Sequence, residues 1–95
     1  MIVAGVVIET VPGAAPRVAA RLLKEAGLEL HGGDGDRRLA AVFTAPSGAD
    51  LEAFAERIVR DDAEVLGVFP TYVADEDGKG ERPDPLVPLG GRGAR

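Results

Sequence analysis

The chain begins with an unbroken apolar run that limits what it can fold into. The residues IVAGVVI at Ile2–Ile8 are rich in β-branched side chains. They have no polar residue at either parity, that is, at either the odd-numbered or the even-numbered positions. A strand with one solvent-exposed face alternates apolar and polar residues, whereas a strand that is covered on both faces does not. Glu9, Thr10 and the Pro12-Gly13 pair then break the run. We therefore predict a strand over Ile2–Ile8 in the interior of a sheet.

Two later segments have apolar residues at helical spacing. The first begins at Pro16, which suits the first turn of a helix, and ends at Ala26 before Gly27. The second follows Ser47 as N-cap and closes at Asp61-Asp62, with Asp50 completing a capping-box pattern. The predicted buried stripes are Val18, Ala19, Leu22, Leu23 and Ala26 in the first helix and Leu51, Phe54, Ala55, Ile58 and Val59 in the second.

Three further segments are typical of strands. Leu28–His31 alternates apolar and polar residues, and Arg37–Thr44 returns from the glycine-rich turn GGDGD at residues 32–36 as the second strand of a hairpin. The last strand is Val65–Ala74, which contains Pro70. Because proline cannot donate to a ladder, Pro70 is tolerated only at a sheet edge or a bulge.

The predicted element order is therefore β-α-β-β-α-β. Right-handed crossovers arrange such a chain as an antiparallel sheet of order 4-1-3-2 with both helices on one face. The expected class is α+β, a ferredoxin-like βαββαβ two-layer sandwich that forms one domain over residues 1–75. The first and third strands are expected inside the sheet, and the second and fourth at its edges.

The composition changes after this domain. Residues 76–95 contain five glycines and three prolines, and their four acidic and four basic side chains cancel. Such a segment, without periodicity, buries too little apolar area to offset its ordering entropy. We predict a flexible, disordered Gly/Pro-rich tail over residues 76–95.

Composition argues against several classes of function. The chain has no cysteine and one histidine, so it lacks the usual ligands of a transition-metal site, and no cofactor is expected. A net charge of −5 argues against nucleic acid as a partner. The apolar run is too short to cross a bilayer and lacks the flanks of a secretory signal. We predict a cytoplasmic protein without membrane insertion.

No catalytic constellation is visible, so we do not expect an enzyme. His31 is interpreted as an exposed strand histidine, Asp34 and Asp36 as turn residues, and Ser47 as a helix cap. Arg17, Arg21 and Lys24 form a basic stripe that we interpret as a solvated helix face. The alternative for this stripe is a small hydrolase that uses Arg17.

The sheet face opposite the helices is the best candidate for a binding site. The larger residues Ile2, Ala4, Val6 and Ile8, with Leu39, Ala41 and Phe43, are expected to point to the helices. The other face should then stay apolar where it meets water, which marks a partner site. The predicted peptide-binding residues are Val3, Gly5, Val7, Ala40, Val42, Phe69 and Thr71, with Val73 beside them and the acids Glu9, Glu29 and Asp75 around them.

Over residues 2–77 the chain resembles the NapD family of chaperones for the maturation of periplasmic nitrate reductase. The resemblance is carried by the strand IVAGVVIE, the strand LAAVFTA and the segment ADLEAFAERIVRDDAEVLGVFPTYVADED. The chain departs from the family pattern at Pro70 and at Val73-Ala74. The resemblance implies a non-catalytic cytoplasmic chaperone. It would bind the twin-arginine signal peptide of the reductase's catalytic subunit and delay export until the cofactor is inserted.

The residues leave one other class open. A small-molecule-binding or dimerising regulatory module, similar to an ACT domain, would use the same apolar sheet face or edge for self-association. The chaperone hypothesis predicts a monomer or a weak homodimer, because a stable dimer that buries the face would leave no platform for a peptide.

Overall fold

The computed structural model describes residues 1–75, and the predicted tail lies outside the described residues. The predicted order of elements is confirmed, with each strand ending one or two residues later than predicted. The elements are β1 (Ile2–Thr10), α1 (Ala15–Leu22), β2 (Leu28–Gly33), β3 (Arg38–Ala45), α2 (Gly48–Asp61) and β4 (Val65–Asp75).

The four strands form one antiparallel sheet in the order β2-β3-β1-β4. Counted from the β4 side, the same sheet has the order 4-1-3-2. β1 and β3 lie inside it, and β2 and β4 are its edges. This α+β arrangement is compatible with a ferredoxin-like fold.

The side of the sheet under the helices holds the core. Alternate residues of β1 are buried, and the register places Ala4 opposite Phe43, Val6 opposite Ala41 and Ile8 opposite Leu39. Since directly opposed residues share a face, the predicted facing of β1 and β3 is confirmed. The helices complete this core with Val18 and Leu22 of α1 and Leu51, Phe54 and Ile58 of α2.

Helix α1 is shorter than its sequence pattern predicts. It ends at Leu22, so Leu23, predicted in the buried stripe, is 74% exposed. After Leu22 the chain forms a turn, in which the Leu22 carbonyl accepts the Glu25 N–H at 3.0 Å. Gly27, at φ +82°, then leads into the sheet, where its carbonyl accepts the Thr44 N–H at 2.9 Å.

The start of α1 is capped from a distant turn. Its N-cap residue, Ala14, makes no side-chain cap. Instead the Asp36 carbonyl accepts the Ala15 N–H at 2.9 Å, and the Asp36 carboxylate accepts the Gly13 N–H at 2.6 Å. The turn between β2 and β3 therefore satisfies backbone donors that the helix itself leaves unpaired.

Strand β4 changes register twice against β1. One irregularity lies opposite Gly5 and Val6, where Thr71 is the extra residue, and the other lies opposite Glu9 and Thr10. The Thr71 hydroxyl donates to the Gly5 carbonyl at 3.1 Å across the first bulge. A bulge puts two residues against one, so the residues that follow it exchange faces relative to simple alternation.

Candidate functional site

The side of the sheet turned away from both helices is apolar and uncovered within residues 1–75. We call it the open face. It contains Val3, Gly5 and Val7 of β1, which the register places opposite Thr44, Val42 and Ala40 of β3. Five of the residues predicted for the site therefore lie together: Val3, Gly5, Val7, Ala40 and Val42. Ala40 is exposed and the other four are half-buried.

Strand β4 adds two aromatic rings to the open face. Phe69 lies opposite Val7 and is 52% exposed, as predicted for a residue of this face. Tyr72 lies opposite Gly5 and is 41% exposed. A Cβ atom at Gly5 would approach the Tyr72 Cδ2 atom to 3.0 Å, so the tyrosine ring occupies the space above this glycine.

Tyr72 is the open-face residue that the sequence analysis misses. Simple alternation from Phe69 predicts Thr71 and Val73 on the open face. The bulge at Thr71 places Tyr72 there instead, and Val73, opposite Ala4, packs against the core. Thr71 keeps its hydroxyl near Gly5 on the open face. Pro70 is the available signal for the bulge, because prolines in sheets occur at edges and bulges.

The three predicted acids do not form one rim. Glu9 lies on the open-face parity at one end of β1, opposite Arg38, and Glu29 lies opposite Val42 on the β2 side. Asp75 lies opposite Ile2, on the parity of the helix side, where its Oδ1 is 3.9 Å from the amino-terminal nitrogen. The prediction that Asp75 flanks the open face is therefore wrong. The physical reason is the same bulge at Thr71, because its extra residue moves every later side chain of β4 to the opposite face of the sheet.

The edge next to Glu29 contains the single histidine of the chain. His31 is exposed, and its Nε2 atom lies 3.4 Å from Glu29 Oε1. It is the extra residue in the pairing of β2 with β3. The position agrees with the interpretation of His31 as an exposed strand histidine.

The residues interpreted as turn and cap residues have those roles. The Asp34 carboxylate accepts the N–H groups of Asp36, Arg37 and Arg38 at 2.9–3.0 Å, and these bonds lower the pKa of Asp34. The Ser47 hydroxyl accepts the Asp50 N–H at 3.3 Å.

Within residues 1–75, no three histidine or acidic side chains are grouped so that they could hold a metal ion. Neither helix of that range is long and apolar enough to cross a membrane.

The basic stripe of α1 is exposed, as interpreted, but two of its three residues form ion pairs that the sequence pattern does not show. Arg17 Nε donates to Glu64 Oε1 at 2.9 Å, and a terminal nitrogen of Arg21 contacts Asp62 Oδ1 at 2.8 Å and Glu64 Oε1 at 2.9 Å. These pairs tie α1 to the turn between α2 and β4. The pair of Arg17 with Glu64 is bidentate, through Nε and one terminal nitrogen of the guanidinium.

This cluster should make stability depend on pH. Hydrogen bonds from Arg17 and then from Arg21 lower the pKa of Glu64 from 4.5 to about 2. A pKa that is lower in the folded state stabilises the fold above the unfolded value, and the gain is lost as the pH falls through the folded value. We expect Glu64→Gln to lower the urea midpoint at neutral pH, and we expect the difference from wild type to shrink between pH 4.5 and pH 2.

The control for this prediction is Glu52→Gln. Glu52 is exposed and forms no ion pair within residues 1–75, so its loss should change the midpoint little at neutral pH. A Glu64→Gln midpoint equal to that of wild type at neutral pH would contradict the structural role of the cluster.

The open face is thus the one feature that the sequence analysis and the described residues both offer as a binding site. Five predicted residues of β1 and β3 lie together there with Phe69, and Thr71 lies at its edge. Tyr72 is added to them, and Glu9 and Glu29 lie on the same side of the sheet.

Comparison with known proteins adds no relative: the chain matches no protein-family model, no curated protein and no solved structure.

Proposed function

We propose that this protein is a non-catalytic chaperone that binds a twin-arginine signal peptide on the open face. Its client would be the catalytic subunit of periplasmic nitrate reductase, held back from export until its cofactor is inserted. The observation that carries the proposal is the open face itself, an apolar sheet surface with no element across it within residues 1–75.

The apolar character of this face supports a partner that is itself partly apolar. A solvated antiparallel sheet normally presents polar residues at these positions. Here Val3, Val7 and Val42 occupy the middle of the face, and Phe69 and Tyr72 stand along one side of it. Aromatic side chains of this kind contribute large contact area at little entropic cost, and they are enriched at the centres of interfaces.

The charge of the protein supports a basic partner. The net charge is −5, and the four bases and four acids of residues 76–95 leave the whole excess in residues 1–75. Glu9 and Glu29 lie on the open-face side at two different strands. Guanidinium groups bind carboxylates through two parallel hydrogen bonds, whereas a lysine ammonium binds as a point charge. The arrangement therefore favours arginine over lysine in the partner.

The test is calorimetric titration of the full chain with a twin-arginine signal peptide and with its Lys-Lys variant. We expect a dissociation constant in the micromolar range or tighter, about −8 kcal/mol, for the arginine peptide. Weaker binding of the Lys-Lys peptide is expected, because bidentate contacts are lost. No heat with either peptide would contradict the proposal.

Light scattering of the same samples separates this function from the regulatory alternative. A monomer that binds the peptide supports the chaperone. A stable dimer with no peptide heat would favour the ACT-like module instead, because self-association through the same face would cover Phe69 and Tyr72.

A further inference from the structure

A second apolar surface lies on the helix side of the edge strand β4. It is a groove of about 600 Å³ between α2 and β4, and we call it the β4 groove. Its apolar lining is Leu51 and Ala55 of α2 with Val68, Pro70 and Val73 of β4. It is distinct from the open face, because these β4 residues have the opposite parity to Phe69 and Tyr72.

The groove exists because the helix layer ends before the sheet does. Val68, Pro70 and Val73 are opposite Ile8, Val6 and Ala4 on β1. The three β1 residues are buried, with at most 2% exposure, whereas their β4 partners are half-buried or exposed. Helix α2 therefore covers the helix side of β1 and leaves that of β4 partly open.

We propose that the C-terminal segment Leu86–Leu89 of this same chain occupies the β4 groove. Leu86, Val87 and Leu89 are the only leucine, isoleucine, valine or phenylalanine residues after Asp75, and they are consecutive apart from Pro88. A segment with no structure of its own can still order on an apolar surface that exists in advance. The predicted lack of independent structure in residues 76–95 is thus compatible with docking.

The length and starting point of the tail favour this occupant. Strand β4 ends at Asp75, two residues after Val73, which lines the groove. Ten residues, 76–85, separate that end from Leu86. A chain of ten residues spans up to about 33 Å when extended. The connecting segment is therefore long enough to turn back along α2. Tethering also keeps the local concentration of the segment high without any partner.

Charge complementarity favours it as well. Glu52 and Glu56 line the same groove, one helical turn apart, and neither carboxylate forms an ion pair within residues 1–75. In the sequence, Arg92 and Arg95 follow the apolar segment with no acid after it, whereas Arg82, before it, stands between Glu81 and Asp84. A docked segment would thus bring Arg92 and Arg95 toward the two carboxylates.

The prolines indicate how the segment would lie. Pro83, Pro85 and Pro88 cannot donate backbone hydrogen bonds, and Pro70 on β4 cannot donate either. A fifth strand added to the free edge of β4 would lack these bonds. An extended, polyproline-like segment needs no ladder, because its side chains make the contacts in an apolar groove.

The test uses paramagnetic broadening in the full chain. The sequence has no cysteine, so Gly93→Cys takes a single nitroxide label. We expect the label to broaden the amide signals of Ala55, Val68 and Val73 most strongly and those of Leu28 and Leu30, on the opposite edge strand β2, least. Leu86→Asp with Leu89→Asp should abolish this broadening. The matched control, Gly90→Asp with Gly91→Asp, adds the same charge but keeps both leucines and should retain it.

A second pair of variants tests the groove itself. Ala55→Glu places a carboxylate in the lining and should remove the broadening. Ala53→Glu adds the same charge on the same helix outside the groove, and it should not. Broadening that is uniform, that affects β4 but spares Ala55 of α2, or that persists in the leucine double variant would overturn the proposal.

A mixed sample decides whether the segment belongs to the same molecule. It contains one protein that is enriched in nitrogen-15 and carries no nitroxide, and a second that carries the nitroxide at natural isotope abundance. Sharp signals for Ala55 and Val68 in this mixture support docking within one chain, and broadened signals would assign the groove to the tail of a second copy and overturn it. The proposal does not depend on the proposed function, since no signal peptide enters this experiment.

Discussion

Replacing Phe69 with glutamate is expected to weaken binding of the twin-arginine peptide by roughly 30-fold or more, which corresponds to a loss of about 2 kcal/mol. Phe69 is 52% exposed on the edge strand, opposite Val7 on the open face. An exposed edge position tolerates a charge without loss of the fold. In the complex, however, the glutamate carboxylate would lose its hydration under the apolar part of the bound peptide. This desolvation makes the free energy of binding less favourable.

Leu23→Glu is the matched control for this variant. Leu23 is 74% exposed at the end of α1, on the helix side of the molecule, and the substitution adds the same charge to the protein. Any general effect of charge on a basic peptide is therefore equal in the two variants. Calorimetry should give wild-type affinity for Leu23→Glu, and circular dichroism should give the same spectrum for both variants.

Val7→Glu provides a second position on the same face. Val7 lies on the interior strand β1, opposite Ala40 and Phe69, and we expect its replacement to abolish binding as well. Unchanged affinity in both Phe69→Glu and Val7→Glu would show that the peptide does not bind the open face. In that case the β4 groove would be the next surface to test with the same peptide.

Replacing Phe54 with alanine is expected to lower the free energy of unfolding by about 3–5 kcal/mol, the usual cost of deleting a buried aromatic ring. Phe54 is 5% exposed, and its ring stacks on Phe43 with centroids 4.1 Å apart. The Arg57 guanidinium also lies over this ring, 5.7 Å from its centroid. The variant therefore loses both contacts.

This loss is large relative to the size of the domain. A single core of 70–80 residues rarely supplies more than about 3–5 kcal/mol in total, so we expect Phe54→Ala to be largely unfolded at 25 °C. Urea unfolding followed by circular dichroism measures it. Val59→Ala, at an exposed position of the same helix, is the control and should cost well under half as much. A cost below about 1 kcal/mol for Phe54→Ala would contradict the assigned core.

The interior of the fold could be predicted because its pattern is local. Ile2–Ile8 is apolar at both parities, and β1 is an interior strand. Within it the alternate residues Ala4, Val6 and Ile8 face the helices, as the size of Ile8 suggests. The apolar stripe of α2 likewise supplies Leu51, Phe54 and Ile58 to the core. In α2 the period of 3.6 residues is sufficient to assign the buried face, whereas in β1, which has no period of two, residue size was the only local signal.

The ion pairs of α1 could not be predicted from its own sequence. Arg17 and Arg21 fall on the polar side of a helical stripe, which by itself indicates a solvated face. Their partners, Asp62 and Glu64, are more than forty residues away along the chain. Only the packing of α1 beside the turn after α2 brings these charges within hydrogen-bonding distance.

The sequence by itself determined the order of the six elements, the interior position of β1 and β3 and the apolar character of both sheet faces, because hydrophobic periodicity is a property of neighbouring residues. The tertiary structure alone decided the end of α1 and the composition of the open face along β4. The bulge at Thr71 arises from the pairing of β4 with β1, and one extra residue reverses the parity of all that follow. That reversal put Tyr72 on the open face and took Val73 and Asp75 away from it.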